Sequence, residues 1–131
     1  MKDPLFLQKK STPADEKDAY IADDLIDTMK HHGIRCVGMA ANMIGFTKKI
    51  IAVHDTFGYI ALFNPVILKK EEPYRTMEGC LCVPAITPVV RYKTITVRFQ
   101  TRNMETMTQT FTAMTAQIIQ HEMDHLNGIL I

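Results

Sequence analysis

Between Thr12 and Gly33 the apolar positions return at helical spacing. Ile21, Leu25 and Met29 stand four apart, Ala22 and Ile26 widen the stripe, and Asp23, Asp24 and Asp27 take the other face. That period predicts an amphipathic helix from about Pro13 to His32. Thr12 is placed to cap it, Pro13 suits the first helical position, Asp15 follows three residues after the cap, and Gly33 ends it.

Beyond Gly33 the period changes. Cys36 to Gly45 is a run of small and apolar residues that predicts close packing rather than a surface loop. Ile50 to Val53 reads as a buried strand. Gly58 to Leu68 reads as one or two strands broken near Asn64-Pro65, and Glu71-Glu72-Pro73 as an exposed turn. Thr94 to Phe99 alternates, with Ile95, Val97 and Phe99 on one face. Thr106 to Phe111 alternates in turn, and Arg102-Asn103-Met104-Glu105 between them predicts a hairpin. Ala113 to Asn127 reads as a helix stopped by Gly128. Strands first and a helix last predict an α+β class.

The length of 131 residues predicts a single domain over 1–131. Fifteen basic against fourteen acidic residues leave a net charge of +1. No basic footprint for nucleic acid and no polybasic membrane patch follow from that balance, which leaves peptides or small molecules as substrates. No apolar run reaches the ~18 residues of a membrane helix. The start, Met1-Lys2-Asp3-Pro4-Leu5-Phe6-Leu7, is too short and polar for a signal peptide, so a cytoplasmic location is expected. The three cysteines, Cys36, Cys80 and Cys82, are an odd count, which points to metal, catalysis or packing rather than a disulfide framework. Most of the nine methionines are expected as core filler.

The segment that carries chemistry is Gln120-His121-Glu122-Met123-Asp124-His125. Two histidines four apart on a helix share a face and can chelate one ion, and Glu122 can reach a water there as general base. The third ligand decides the class. Zinc proteases of the long-motif type have a histidine six residues after the second, where this chain has Ile131. The third ligand is therefore expected upstream, among Cys80, Cys82, Cys36, His54, His31, His32 and several acids. Cys80 follows Gly79, which allows close backbone approach, and a thiolate is a strong ligand.

Three segments together resemble the peptide deformylase family. Cys36 to Met43 is similar to its glycine-hydrophobic-glycine-leucine-alanine-alanine-x-glutamine motif. Glu78 to Cys82 is similar to glutamate-glycine-cysteine-leucine-serine. Gln120 to Gly128 matches glutamine-histidine-glutamate-x-aspartate-histidine-leucine-x-glycine. The resemblance implies antiparallel sheets around a central C-terminal metal-binding HExxH helix. It implies Cys80, His121 and His125 as ligands of one ion, typically Fe2+ with Zn2+ or Ni2+ as substitutes, and an open fourth position for the reacting water. Glu122 is implied as general base and then general acid, and the Leu81 N–H as a donor to the developing oxyanion. Val37, Gly38, Gly79 and Leu81 are implied as substrate-binding positions, with an extended peptide paired to the Gly38 main chain. The implied reaction removes the formyl group from N-formylmethionyl peptides or nascent chains, a step of N-terminal protein processing tied to translation.

The sequence departs from the family pattern at several places. Met43 takes the position of a glutamine whose amide donates to the formyl oxygen, and a thioether has no proton to donate. Losing one such donor costs ~10²–10³ in rate. Asn42 is next to it, but in an extended segment it would point the other way. Cys82 replaces a serine, and Cys36 replaces a glycine and is expected to be structural. Only Ile129, Leu130 and Ile131 follow Gly128, where family members usually continue. His31 and His32 suit a helix C-terminus, His54 is expected to be structural, and the resemblance points to Arg91 as a partner of Glu78. Two alternatives remain: a relative acting on another formamide or small amide, and a metal-binding homologue without turnover.

Overall fold

The computed structural model describes residues 4–33, 36–80, 83–129 and 131, with the backbone alone at 4, 80 and 83–85. The chain forms α1 (Pro4–Leu7), a 3-10 turn (Glu16–Asp18), α2 (Ala19–His32), β1 (Gly38–Ala40) and a second 3-10 turn (Ala41–Ile44). It continues through β2 (Ile50–Asp55), β3 (Gly58–Cys80), β4 (Val83–Gln100), β5 (Thr106–Thr112) and α3 (Ala113–Leu126). The five strands make one antiparallel sheet in the order β1-β2-β3-β4-β5. The α+β expectation, antiparallel strands with a C-terminal helix, therefore holds.

Ile50, Ile51, Ala52 and Val53 of β2 are all buried, so both faces of this strand are covered. Both α2 and α3 touch it. The stripe of Ile21, Ala22, Leu25 and Met29 lies in the core, as its spacing predicts. Ile95, Val97 and Phe99 of β4 complete the core from the hairpin with β5.

The first long helix begins at Ala19, not Pro13. Thr12 does not cap it: its N–H donates to Thr47 O at 2.9 Å and its O accepts from Lys49 N at 2.8 Å. Ala14 N donates to Asn64 Oδ1 at 2.8 Å. Tertiary partners satisfy this backbone, so the cap moves to Asp15, which accepts from Lys17 N while Asp18 Oδ2 accepts from Asp15 N.

The expected break at Asn64-Pro65 is a bulge inside one long strand. Phe63 pairs with Gln100 and Val66 with Arg98, so two residues oppose one, and Asn64 takes φ 51°. The expected turn at Glu71-Glu72-Pro73 is the middle of β3, with Glu71 opposite Thr94 and Pro73 opposite Tyr92. Here the hairpin runs past the core. Its residues are polar because they face water, and that removed the alternation from which a strand is read. Likewise β4 starts at Val83, eleven residues before the alternating stretch that predicted it. On the inward face of β3, Tyr74, Thr76 and Glu78 follow one another at the two-residue spacing of a strand.

Candidate active site

α3 carries the two histidines toward the inward face of the hairpin. His125 is fully buried and His121 is 8% exposed. Their Nε2 atoms lie 3.2 Å apart. The helix is held at the C-terminal end of its active turn. Asn42 Nδ2 donates to His125 O at 2.8 Å, and Ser11 N donates to Leu126 O at 2.9 Å. Gly128, at φ +77°, is pressed so closely on Gln8 that a Cβ would strike its carbonyl. Asn42 is thus not in an extended segment as expected. It lies in the 3-10 turn and serves the helix, which leaves it no part in the pocket.

Glu78 organises the polar side. Its carboxylate accepts from Arg91 Nε and Nη2 at 2.7–3.1 Å, from Gln117 Nε2 at 2.8 Å, and meets His121 Nδ1 at 2.8 Å. Arg91 Nη1 also donates to Asp124 Oδ2 at 2.6 Å. Burial pushes the Glu78 carboxyl up, but the hydrogen bonds from His121, Arg91 and Gln117 and the Arg91 charge outweigh it and hold it at about 2. Burial works against the Arg91 charge too, and its bonds to Glu78 and Asp124 more than offset that. An ionised Glu78 can only accept, so His121 Nδ1 donates to it, and the neutral ring then carries its lone pair on Nε2.

This arrangement fits a cation. Two nitrogens bound to one tetrahedral ion at ~2.0–2.1 Å stand roughly 3.3 Å apart, close to the observed 3.2 Å. Buried His125 Nδ1 has no hydrogen-bond partner among the described residues, and its Nε2 faces His121. No third His, Cys, Asp or Glu joins the pair among the described residues. The expected third ligand, Cys80, ends β3, where its backbone pairs with Val83; its side chain, and Leu81 and Cys82 altogether, lie outside the described residues.

Beside the histidines lies a cavity of about 200 Å3. Glu122 and His121 border it with Val37, Gly38, Met43 and Gly79. Met114 and Ile118 add an apolar wall. Glu122 is buried on the turn between the histidines and reaches toward β1. β1 is an edge of the sheet, so among the described residues one side of the Gly38–Ala40 main chain is clear of other strands. Met43 Sδ accepts from Ala40 N at 3.3 Å, which closes the 3-10 turn. Cys36 is buried, with Sγ 3.5 Å from Gly38 O.

Three participants were missed in the sequence. Asp124 stands three residues after His121, a spacing that could have flagged it for the same helix face. Gln117 and Tyr74 gave no local signal. The His54 ring stacks on Tyr59 at 4.1 Å and the His54 backbone N–H donates to Val37 O at 2.8 Å, and His31 and His32 are exposed at the end of α2.

A family model described as polypeptide deformylase matches residues 1–131. The chain is 48% identical over 131 residues to a peptide deformylase of Clostridium beijerinckii, covering 100% of this chain and 96% of that one. It is 36% identical to peptide deformylase 2 of Clostridium acetobutylicum over 95% of this chain and 85% of that one. Among solved structures, the peptide deformylase of Thermus thermophilus superposes with a TM-score of 0.88 at 30% identity, covering 97% of this chain and 78% of that one. A class I type b peptide deformylase from Acinetobacter baumannii bound to Met-Ala-Ser superposes at 0.87 with 30% identity, over 96% of this chain and 90% of that one. With its paired histidines, its acid on the turn between them and these relatives along its whole length, the chain belongs to the peptide deformylase family, metal-dependent hydrolases that act on formylated peptides.

Proposed function

We propose that this chain removes the formyl group from N-formylmethionyl peptides, with Cys80, His121 and His125 holding one divalent ion. Ferrous iron is the proposed ion, with zinc and nickel as substitutes. Nascent chains in the cytoplasm are the proposed natural substrates. The observation that carries the reading is the meeting of His121 Nε2, His125 Nε2 and the buried Glu122 at one cavity beside an open strand edge.

When bound, the ion supplies Lewis acidity that activates a water molecule near neutral pH. The protein does the rest. Val37 and Gly38 pair the peptide main chain along β1. The Met-Ala-Ser bound to the Acinetobacter relative supports a peptide of that length in this role. Met114, Ile118 and Val37 give the methionyl side chain an apolar wall. Glu122 takes one proton as the water oxygen bonds to the formyl carbon. It gives that proton to the departing nitrogen as the C–N bond breaks, so formate and a free amine leave. Leu81 N–H is the proposed donor to the oxyanion, and Met43 contributes no proton there.

The test is formate release from a short N-formylmethionyl peptide by protein loaded anaerobically with ferrous iron. Turnover that Glu122→Ala abolishes while metal content stays unchanged is expected. No turnover in a metal-loaded protein would overturn the activity, and full metal content in a Cys80→Ala protein would overturn the ligand set.

A further inference from the structure

Arg91 is not the sole restraint on Glu78. Tyr74 precedes Glu78 by four residues on the same face of β3, and Gln117, one helical turn before His121, stands between them. Tyr74 Oη and Gln117 Oε1 are 3.1 Å apart, and Gln117 Nε2 is 2.8 Å from Glu78 Oε2. We propose that Tyr74 and Gln117 are positioning residues that lock Glu78, and through it the ring of His121, in the orientation that binds the metal. This inference rests on the metal-dependent reading above.

The chemistry dictates the direction of each bond. A carboxylate accepts only, so the Gln117 NH2 faces Glu78 and the Gln117 carbonyl faces Tyr74. Tyr74 must then donate its O–H. The chain of bonds runs from Tyr74 to Gln117 to Glu78, which fixes His121 as the Nδ1–H tautomer with its Nε2 lone pair turned to His125. Arg91 Nη2 and His121 are bonded to Oε1, Gln117 to Oε2, and Arg91 Nε is shared between the two oxygens. Without Gln117, Oε2 keeps only the Arg91 Nε that it shares with Oε1, and the carboxylate loses its one restraint from α3 on that oxygen. Gln117 also lines the cavity, but its carbonyl and one N–H are engaged within the protein. That sets it apart from a side chain whose polar groups are reserved for substrate.

The test measures metal affinity without substrate. Wild type, Gln117→Leu, the unbranched Gln117→Met, Tyr74→Phe and the Tyr74→Phe/Gln117→Leu pair are titrated with zinc against a chromophoric chelator. Their cobalt(II) forms are compared by visible spectrum, and thermal unfolding of the metal-free proteins reports the fold. Loss of an outer partner of a ligand typically costs about 10- to 100-fold in metal affinity. That loss is expected for Gln117→Leu and Gln117→Met, with an altered cobalt spectrum. Tyr74→Phe should show a smaller loss in the same direction, and the double variant should be no weaker than Gln117→Leu, since Tyr74 acts through Gln117. Unchanged affinity and spectrum in both Gln117 variants would overturn the inference alone. A wild type that binds no zinc would overturn the metal-dependent reading and this inference together.

Discussion

Gly38 stands so close to Glu122 that a Cβ on it would lie 3.0 Å from Glu122 Oε2 and 2.5 Å from Ile118 Cγ2. The glycine is demanded by the approach of helix to strand, and it makes room for Ile118 and for Glu122, the proposed general base. Gly38→Ala is expected to displace Glu122 from its working position and lower kcat by on the order of 10²-fold. Overpacking of this kind costs about 1–3 kcal/mol. Formate release beside a denaturant titration checks both. Wild-type kcat in the Gly38→Ala protein would show that Glu122 has slack.

Arg91 is 4% exposed and serves two carboxylates from different elements, Glu78 of β3 and Asp124 of α3. Arg91→Met removes the cation and leaves Glu78 buried with its charge uncompensated. Breaking a buried pair by deleting one partner costs about 3–5 kcal/mol. A fall of that size in unfolding free energy is expected, together with weaker metal retention. A fall under about 1 kcal/mol, the range of an exposed pair, would show that Glu78 takes up a proton or finds water instead.

Met43 accepts the Ala40 N–H through sulfur. A glutamine at this position has a carbonyl oxygen for that N–H and an NH2 left to donate into the cavity. Met43→Gln is therefore expected to raise kcat for a formylmethionyl peptide, by on the order of 10²-fold if the added donor reaches the oxyanion. An unchanged or lower rate would show that this site stabilises the charge by other groups.

Arg102, in the turn before β5, donates to both carboxylate oxygens of Asp23 on α2 at 2.8 Å. The hydrogen bond and charge of Arg102 hold the Asp23 carboxyl below its usual 3.8 against an opposing effect of burial. A depressed carboxyl stabilises the fold above its usual value and loses that contribution as the pH falls through the depressed one. Arg102→Gln should thus lower Tm slightly at neutral pH, with the difference from wild type shrinking as the pH falls below 3.8, vanishing below the depressed value, and shrinking in high salt. A difference that persists in both would point to packing rather than charge.

Local patterns were legible because their physics is local. The four-residue spacing of His121 and His125 sets a shared helix face whatever surrounds it, and the stripe from Ile21 to Met29 marks its own buried side. The alternation of Ile95, Val97 and Phe99 told which face of β4 meets the core. The resemblance in the three motifs supplied the family before any coordinate did. Tertiary structure alone decided the rest. Thr12 and Asn64 look like a helix cap and a strand break, but partners 35 and 50 residues away claim their backbone and side chain. The hairpin of β3 and β4 runs through charged residues because water, not a core, faces its outer side. The resemblance pointed to Arg91 as a partner of Glu78, as found, but Asp124 and Gln117 join that pair only when strand register and helix placement are both set. No window of sequence holds that information, because their bonds depend on elements joined by folding rather than by the chain.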